Sequence, residues 1–388
     1  MLIGQDIAIL GAGVAGLAAA RALAFRGAKV TVYERAEAIT EVGAGLQLSP
    51  NGVAVLTALG LDAASVAMRS NGVMLLDGYT GRTVLHMDLQ RYRPDNAFLL
   101  MHRADLIDLL AQGARDAGVE IKLLHSVERV TESDASVVLD FENGTQATHA
   151  VVIGADGLKS RLRTALNDDV DPFFTGQTAW RATVPALGGE EPIAMVHMAH
   201  GKHVVCYPLR NGSMINIVAV EERSDWTEEG WFHRGDPAEL TDHFSGFGGG
   251  IPSLLARVTE VSRWGLFRHP VAQHWHGTRT ALIGDAAHPT LPFLAQGANL
   301  ALEDAWVLAD CLADLPLESA LPAYQLRRCE RAERVIEAAN GNARNYHLKG
   351  PKRAVAHAVL RAGGAVAPRA VIDKFSWLYD HDVTVQSQ

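Results

Sequence analysis

Three glycines near the start of the chain have the spacing of a phosphate-binding turn. Gly11, Gly13 and Gly16 follow the short apolar stretch 6–10 and open a helical run that includes Ala15. In such a turn the first glycine permits the tight bend, the second lets the backbone approach a pyrophosphate, and the third lets the helix pack closely on the strand. Phosphate oxygens would bind the N–H groups at the helix N-terminus. These residues predict a dinucleotide site.

Acidic residues follow three apolar stretches that we interpret as buried strands. Glu34 ends the stretch 29–33, at the distance from the glycine turn that is typical of an acid binding a ribose hydroxyl. An acid at this position favours FAD or NAD over a bound NADP. Asp156 and Asp285 each follow a further apolar stretch. Taken singly, each aspartate is equally well explained as the N-cap of a helix.

The composition is that of an ordinary globular protein. The 388 residues are 48% hydrophobic and 20% charged, which allows a sizeable core and suggests two domains. A net charge of −9 argues against nucleic acid or an anionic membrane as a partner. The three cysteines have neither metal-ligand nor redox-pair spacing, so no metal site is expected. With no recognisable signal peptide or membrane span, we expect a cytoplasmic protein.

The order of predicted elements indicates an α/β fold that contains an inserted sheet. Rossmann-like strands and helices recur at the start, in the middle and near residue 280, whereas strands with hairpin turns at 201–202 and 211–212 fill residues 173–220. Residues 226–247 are expected to be helical. The predicted boundaries are 1–70, 97–170 and 270–320 for a discontinuous Rossmann-like domain, 71–96 and 171–269 for an antiparallel-sheet domain, and 321–388 for a C-terminal helical segment.

Taken together, the three nucleotide motifs resemble those of a known family. The glycine turn, Asp156-Gly157 and Gly284-Asp285 are similar to the three fingerprints of the single-component FAD-dependent aromatic hydroxylases, the para-hydroxybenzoate hydroxylase-like group. The stretches that resemble its salicylate hydroxylase and 3-hydroxybenzoate 6-hydroxylase branch are 43–51, Tyr207-Pro208-Leu209-Arg210, Gly284-Asp285-Ala286-Ala287-His288-Pro289 and Trp377-Leu378-Tyr379. The resemblance spans residues 5–382.

This resemblance implies a role for each residue of the cofactor site. The Rossmann-like domain would bind FAD non-covalently, with its pyrophosphate on the glycine turn and its adenosine ribose on Glu34. A helix N-terminus at the pyrimidine edge of the flavin suits the negative charge that the reduced ring carries there. The other implied contacts are Arg35 and Arg103 beside the ribose and pyrophosphate, Val127 at the adenine, Asp156 near the pyrophosphate, Asp285 on a ribityl or pyrophosphate-side hydroxyl, and the backbone groups of Gly297, Ala298 and Asn299 at the flavin edge.

The resemblance also implies the reaction. The protein would take NADH or NADPH as a transient co-substrate, use O₂, and hydroxylate a small aromatic or heteroaromatic compound through a flavin hydroperoxide. The alternatives are a reductase or oxidase of the same fold, or a non-catalytic flavin-binding sensor. A halogenase is disfavoured because the Trp-x-Trp-x-Ile-Pro run is missing. The protein is expected to be a monomer or a homodimer.

The substrate side is expected on the antiparallel sheet. His203, Cys206 and Tyr207 are the candidates for activating a ring hydroxyl, and strand alternation places His203 and Tyr207 on one face and Cys206 on the other. In related hydroxylases a histidine lies on the strand that leads into the Tyr-Pro-Leu-Arg stretch, and here Cys206 directly precedes Tyr207. The predicted substrate contacts are Arg181, as a carboxylate partner, and Gln47, Pro292 and Phe293, as lining residues.

Overall fold

Short apolar strands build a five-stranded parallel sheet. The computed structural model describes residues 2–39, 45–168, 170–223 and 233–385. The sheet has the order β19-β12-β1-β2-β8, and its central strands are almost wholly buried because helices and loops cover both faces. Its strands are β1 (Asp6–Leu10), β2 (Lys29–Tyr33), β8 (Glu120–Lys122), β12 (Val151–Gly154) and β19 (Thr280–Leu282).

An eight-stranded sheet forms the second layer, in the order β17-β18-β13-β16-β15-β14-β5-β6. All neighbouring strands are antiparallel except β5 and β14, which are parallel. The predicted hairpins at 201–202 and 211–212 are both present. The strands are β5 (Gly72–Asp77), β6 (Thr83–Asp88), β13 (Phe173–Pro185), β14 (Ile193–Ala199), β15 (Lys202–Leu209), β16 (Met214–Glu222), β17 (Arg234–Gly235) and β18 (Val261–Arg268).

The chain also forms two three-stranded sheets. One has the order β3-β7-β4 and the other β11-β10-β9. Their strands are β3 (Gly45–Leu48), β4 (Met68–Arg69), β7 (Leu99–His102), β9 (Val127–Glu132), β10 (Val137–Phe141) and β11 (Gln146–His149).

Helices cover the parallel sheet and continue into the C-terminal segment. An alanine-rich sequence lets the first helix pack closely against the sheet, since its residues from Val14 to Leu23 are all buried. Of the predicted helix 226–247, residues 226–232 lie outside the described ranges, and the described remainder contains only a short helix over 237–243. The helices are α1 (Val14–Phe25), α2 (Pro50–Ala58), α3 (Leu89–Tyr92), α4 (Arg103–Asp116), α5 (Arg161–Leu166), α6 (Pro237–His243), α7 (Ile251–Leu255), α8 (Gly297–Asp314), α9 (Leu317–Tyr346), α10 (Gly350–Val366), α11 (Pro368–Asp373) and α12 (Ser376–Tyr379).

The eight-stranded sheet has two faces with different neighbours. We call one the outer face: it carries Trp180, Val204 and Cys206 and packs against α6 and α7 in one apolar cluster. The opposite, inner face carries Ala179, Val220 and Trp264, which pack against Leu291 and Phe293 from the loop after β19 and against Ala343 of α9. The inner face therefore meets the loop after β19, which belongs to the Rossmann-like layer. Within the described ranges, no helix combines the length and apolar character needed to cross a membrane.

Candidate functional site

The glycine turn has the close contacts that its spacing predicts. Gly11 has a φ of +101°, and a Cβ placed on it would lie 2.5 Å from the carbonyl oxygen of Ala155. A Cβ on Gly16 would lie 2.0 Å from the carbonyl oxygen of Gly11, so the helix can follow the strand only with glycine here. A Cβ on Gly13, by contrast, would meet no atom of the described residues within 4 Å. The turn is therefore closed by protein at its first and third glycines and open at its second.

Glu34 is held at the carboxyl end of β2. Its carboxylate accepts hydrogen bonds from the amides of Ala12, at 2.8 Å, and Ala36, at 2.9 Å. It therefore lies beside the open side of the glycine turn. Arg35 is exposed, Arg103 is half-buried at the first residue of α4, and Val127 is half-buried at the first residue of β9.

Asp285 points into a recess beside the start of α1. Its side chain is exposed, yet desolvation by the surrounding protein raises the pKa of its carboxyl, and the nearby His288 and Arg103 act in the opposite direction. A carboxyl group meets both conditions when it points into a recess rather than outwards. Gly284 positions it through a left-handed φ of +59°, and a Cβ there would lie 3.0 Å from the side chain of Ala15. Asp285 is thus tied to the start of α1.

Asp156 borders the same turn from β12. One carboxylate oxygen accepts a hydrogen bond from the Arg161 amide at 2.9 Å, and the other is buried with no hydrogen-bond partner among the described residues. Desolvation raises the pKa of this carboxyl. A buried oxygen without a partner is costly unless a ligand or water satisfies it. Asp156 therefore offers an acceptor at the edge of the glycine turn.

The N-terminus of α8 is the second helix end that is open to a ligand. Within the part of the chain that the structure describes, no side chain caps it, and a Cβ on Gly297 would meet no atom within 4 Å. Ala298 is half-buried and follows Gly297 in the first turn. The Asn299 side chain does not point to this opening, because it accepts a hydrogen bond from the Ser49 amide at 3.0 Å and donates to the Gln47 carbonyl at 3.2 Å. Asn299 thus holds the strand of Gln47 against the start of α8.

These observations fit FAD. Two helix N-termini without side-chain caps suit the pyrophosphate and the flavin edge, and the open space at Gly13 and Gly297 leaves room for them. Glu34, Asp156 and Asp285 supply acceptors for hydroxyl groups between these two ends.

A buried ionic network, which the sequence analysis missed, supports α8 from behind. Arg328 of α9 donates to Asp304 at 2.7 Å and to Glu303 at 2.6 Å, and all three side chains are almost fully buried. Arg331 also binds Glu303, and its guanidinium donates to the carbonyls of Trp377 and Leu378 in α12. Asn51 donates to Glu303 at 2.6 Å and thereby connects α2 to the network. The network ties the C-terminal segment to the helix that would carry the flavin edge.

The predicted substrate residues separate according to the faces of the sheet. Tyr207 lies on the inner face opposite Asn216, and His203 lies on the same face opposite Val220. Arg181 is half-buried, with its guanidinium 5.1 Å from the ring of Trp264. Burial raises the pKa of Tyr207, while the charge of Arg181 and the adjacent Gln47 side chain lower it. Arg181, Tyr207 and Gln47 therefore lie together.

Cys206 lies on the other side of the sheet. Its side chain is buried in the cluster of the outer face, and burial raises the pKa of its thiol to about 12. The thiol is therefore separated by the sheet from His203 and Tyr207 and is protonated at neutral pH. We withdraw Cys206 as a candidate for substrate activation, because it neither faces the Rossmann-like layer nor supplies a thiolate.

The loop after β19 brings the remaining lining residues to the inner face. Phe293 is buried, with its ring centroid 5.5 Å from that of His203, whereas the neighbouring Pro292 is exposed. The His203 ring also lies 5.4 Å from Tyr346 and 5.0 Å from His347, at the end of α9. The sequence analysis missed these two residues, which no local pattern connects to a strand about 140 positions earlier.

Together, the Rossmann-like sheet with its open cradle and the second sheet facing it define a class of FAD-binding enzyme. The family model described as FAD binding domain matches residues 5–339, and the chain belongs to this family.

Relatives that match almost the whole length of the chain show which branch of the family it resembles. The chain is 33% identical to 3-amino-4-hydroxybenzoate 2-monooxygenase of Streptomyces platensis, over 96% of this chain and 95% of that protein. It is 32% identical to 3-hydroxybenzoate 6-hydroxylase 1 of Aquipseudomonas alcaligenes, over 97% of each chain. A solved structure of a salicylate hydroxylase substrate complex superposes with a TM-score of 0.82 at 26% identity, covering 98% of this chain and 96% of that one.

The predicted class is confirmed: the protein is an FAD-dependent aromatic monooxygenase of the salicylate and 3-hydroxybenzoate hydroxylase type. The family implies NAD(P)H and O₂ as its co-substrates. The comparisons support this prediction rather than the alternatives, a reductase, an oxidase or a flavin-binding sensor.

Proposed function

We propose that this protein hydroxylates an aromatic ring that carries both a carboxylate and a hydroxyl group. The observation that carries the proposal is the inner face of the sheet, where the Arg181 cation lies beside Tyr207 while the His203 imidazole lies against Phe293. An anion-binding group and a proton acceptor on one apolar face suit the two substituents. The named relatives act on 3-amino-4-hydroxybenzoate and 3-hydroxybenzoate, which carry both.

The residues that would hold FAD are those that line the open cradle. Glu34 and Asp285 would accept from hydroxyl groups of the cofactor, and the backbone at Gly13 and Gly297 would meet the pyrophosphate and the flavin edge. The FAD contacts that the resemblance implies would also be made by Arg35, Arg103, Val127 and Asp156. When bound, FAD supplies the redox chemistry, taking a hydride from NAD(P)H and activating O₂.

The chain itself would bind, orient and deprotonate the substrate. Arg181 would pair with the carboxylate, since a guanidinium fork matches its two oxygens, and Tyr207 with Gln47 would fix that end of the ring. His203 would accept the proton of the ring hydroxyl, making the ring electron-rich. Phe293, Leu291 and Trp264 would keep water away from the reacting atoms.

The domain boundaries, the location and the oligomeric state are also part of the proposal. We propose that residues 1–70, 97–170 and 270–320 form the cofactor domain, 71–96 and 171–269 the substrate domain, and 321–388 the C-terminal helical segment. A cytoplasmic location and a monomeric or homodimeric state are the expectations that go with it.

Replacing Arg181 by glutamine tests the carboxylate contact. We expect the KM for a hydroxybenzoate to rise about 10-fold to 100-fold, because hydrogen bonds to a charged group contribute about 1.5–3 kcal/mol. FAD content should not change. The matched control is Cys206→Ala, on the outer face of the same sheet, which should leave KM and kcat near their parent values. Equal KM values for Arg181→Gln and the parent enzyme would remove Arg181 from the site.

A further inference from the structure

Three hydrogen-bonded side chains form a line from the inner face of the sheet to solvent. His203 Nδ1 lies 2.8 Å from His347 Nε2, and His347 Nδ1 lies 2.7 Å from Glu222 Oε1. The first two side chains are buried, and the carboxylate side chain is 54% exposed. One end of this line thus touches Phe293 at the proposed substrate site, and the other touches water.

Backbone hydrogen bonds fix the three residues relative to one another. Gly201, in the turn that precedes β15, donates to the His347 carbonyl at 3.3 Å and accepts from the Glu222 amide at 2.8 Å. The His203 ring is held between Phe293 and Tyr346. A line assembled from β15, β16 and the end of α9 is therefore kept in register by a single turn.

Hydrogen-bond polarity sets the tautomer of each ring. An ionised Glu222 can only accept, so His347 carries its proton on Nδ1 and leaves Nε2 as an acceptor. His203 must then carry its proton on Nδ1, which leaves its own Nε2 as an acceptor. Burial, as the main cause, lowers the pKa of both histidines, with the charge of Glu222 acting in the opposite direction on His347, so both rings are neutral at pH 7.

We propose that His347 and Glu222 are positioning residues of the hydroxylation, which hold His203 with an unprotonated Nε2 and conduct the proton of the substrate hydroxyl to solvent. This inference rests on the proposed function, which makes His203 the acceptor of that proton. His203 Nε2 takes the hydroxyl proton, His203 Nδ1 gives its proton to His347 Nε2, and His347 Nδ1 gives its proton to Glu222, which releases it to water. The reverse steps return a proton to the phenolate of the product and restore the three original tautomers.

Replacing Glu222 by glutamine tests this line, because the amide still accepts a hydrogen bond but does not take up the proton. We expect kcat for hydroxylation at pH 7 to fall about 10-fold to 100-fold, since a positioned proton acceptor contributes about 10²–10⁴-fold. The deficit should shrink as the pH rises, because more of the substrate is then already ionised in solution. FAD content, KM and thermal midpoint should stay at parent values. The matched control is Glu260→Gln, an exposed glutamate next to β18 in the same sheet layer, which should leave the pH profile unchanged.

A second variant, in another element of the line, guards against the case in which Glu222→Gln fails to fold. His347→Gln should show the same pH-dependent deficit and a larger solvent deuterium isotope effect on kcat, because the interrupted proton transfer then limits the rate more strongly. Two further titratable groups among the described residues lie near the line, His200 and Tyr346, and His200→Gln should retain the parent profile. If Glu222→Gln and His347→Gln both keep the pH profile and isotope effect of the parent enzyme, the proposal is overturned. Failure of the proposed function is distinguishable, since the parent enzyme would then form no hydroxylated product.

Discussion

Replacing Gly13 by valine is expected to give a folded protein that purifies without the yellow colour of FAD. The position has extended backbone, with a φ of −81°, and open space where a Cβ would stand, so the fold accepts the side chain. FAD, however, no longer fits, because the valine side chain occupies the place where the pyrophosphate of FAD approaches the N-terminus of α1. Losing two hydrogen bonds to a charged group costs about 3 kcal/mol or more, which corresponds to a loss of ~100-fold in FAD affinity.

Two further glycines act as controls for this prediction. A Cβ on Gly246 would likewise meet no described residue within 4 Å, and Gly246→Val should keep parent FAD content and stability. Gly16→Ala should instead destabilise the fold itself, because its Cβ would lie 2.0 Å from a backbone oxygen. FAD absorbance and the circular dichroism of the three purified variants separate these outcomes. A Gly13→Val protein that retains full FAD occupancy would contradict the assignment of the cradle.

Replacing Arg328 by methionine should have the largest effect on stability. The substitution keeps much of the volume but removes from Glu303 and Asp304, both 0% exposed, the guanidinium that they share. Breaking a buried ion pair in this way costs about 3–5 kcal/mol of the free energy of unfolding. Urea denaturation of the FAD-loaded proteins measures it. Arg327→Met, which removes an exposed guanidinium one residue away, should change stability by less than about 0.5 kcal/mol.

The same substitution should change how stability depends on pH. Although burial acts in the opposite direction, Arg328 is the main cause that lowers the pKa of Glu303 below its ordinary value, and His288 followed by Arg328 lowers the pKa of Asp304. A carboxyl group whose pKa is lowered by folding stabilises the protein above its unfolded pKa, near 4, and this stabilisation is lost as the pH falls through the folded pKa. The parent enzyme and Arg328→Met should therefore differ most at neutral pH and converge under acidic conditions. A difference that stays constant as the pH falls from 7 to well below 4 would contradict this prediction.

The features predicted most accurately from the sequence are those that depend on residues close together in the chain. The glycine turn, the strand ending in Glu34 and the hairpins of the sheet layer follow from spacing and turn chemistry, which act over a few residues. Alternation along β15 correctly separated Cys206 from His203, since a strand places neighbouring side chains on opposite faces. It did not decide which face meets the cofactor layer, because that depends on the long-range packing of Phe293 and α9.

What the sequence did not reveal depends on contacts between distant elements. Glu303 and Arg328 look like ordinary surface charges of two helices, and only the packing of α8 on α9 buries them together. The line from His203 through His347 to Glu222 joins residues of three elements with no shared local motif. Side chains whose roles come from tertiary contacts of this kind are not recognisable from a single sequence.

The most direct test of the central claim is the oxidation of NAD(P)H by the FAD-loaded protein in air, combined with mass analysis of the ring compound. The compounds to compare are 3-hydroxybenzoate, 3-amino-4-hydroxybenzoate and salicylate, each beside the matching phenol that lacks the carboxylate. We predict that at least one of these acids accelerates NAD(P)H oxidation many-fold and gains one oxygen atom, while its phenol counterpart does so far less. If no ring acid gains oxygen, or if the phenols react equally well, the proposed substrate class is contradicted.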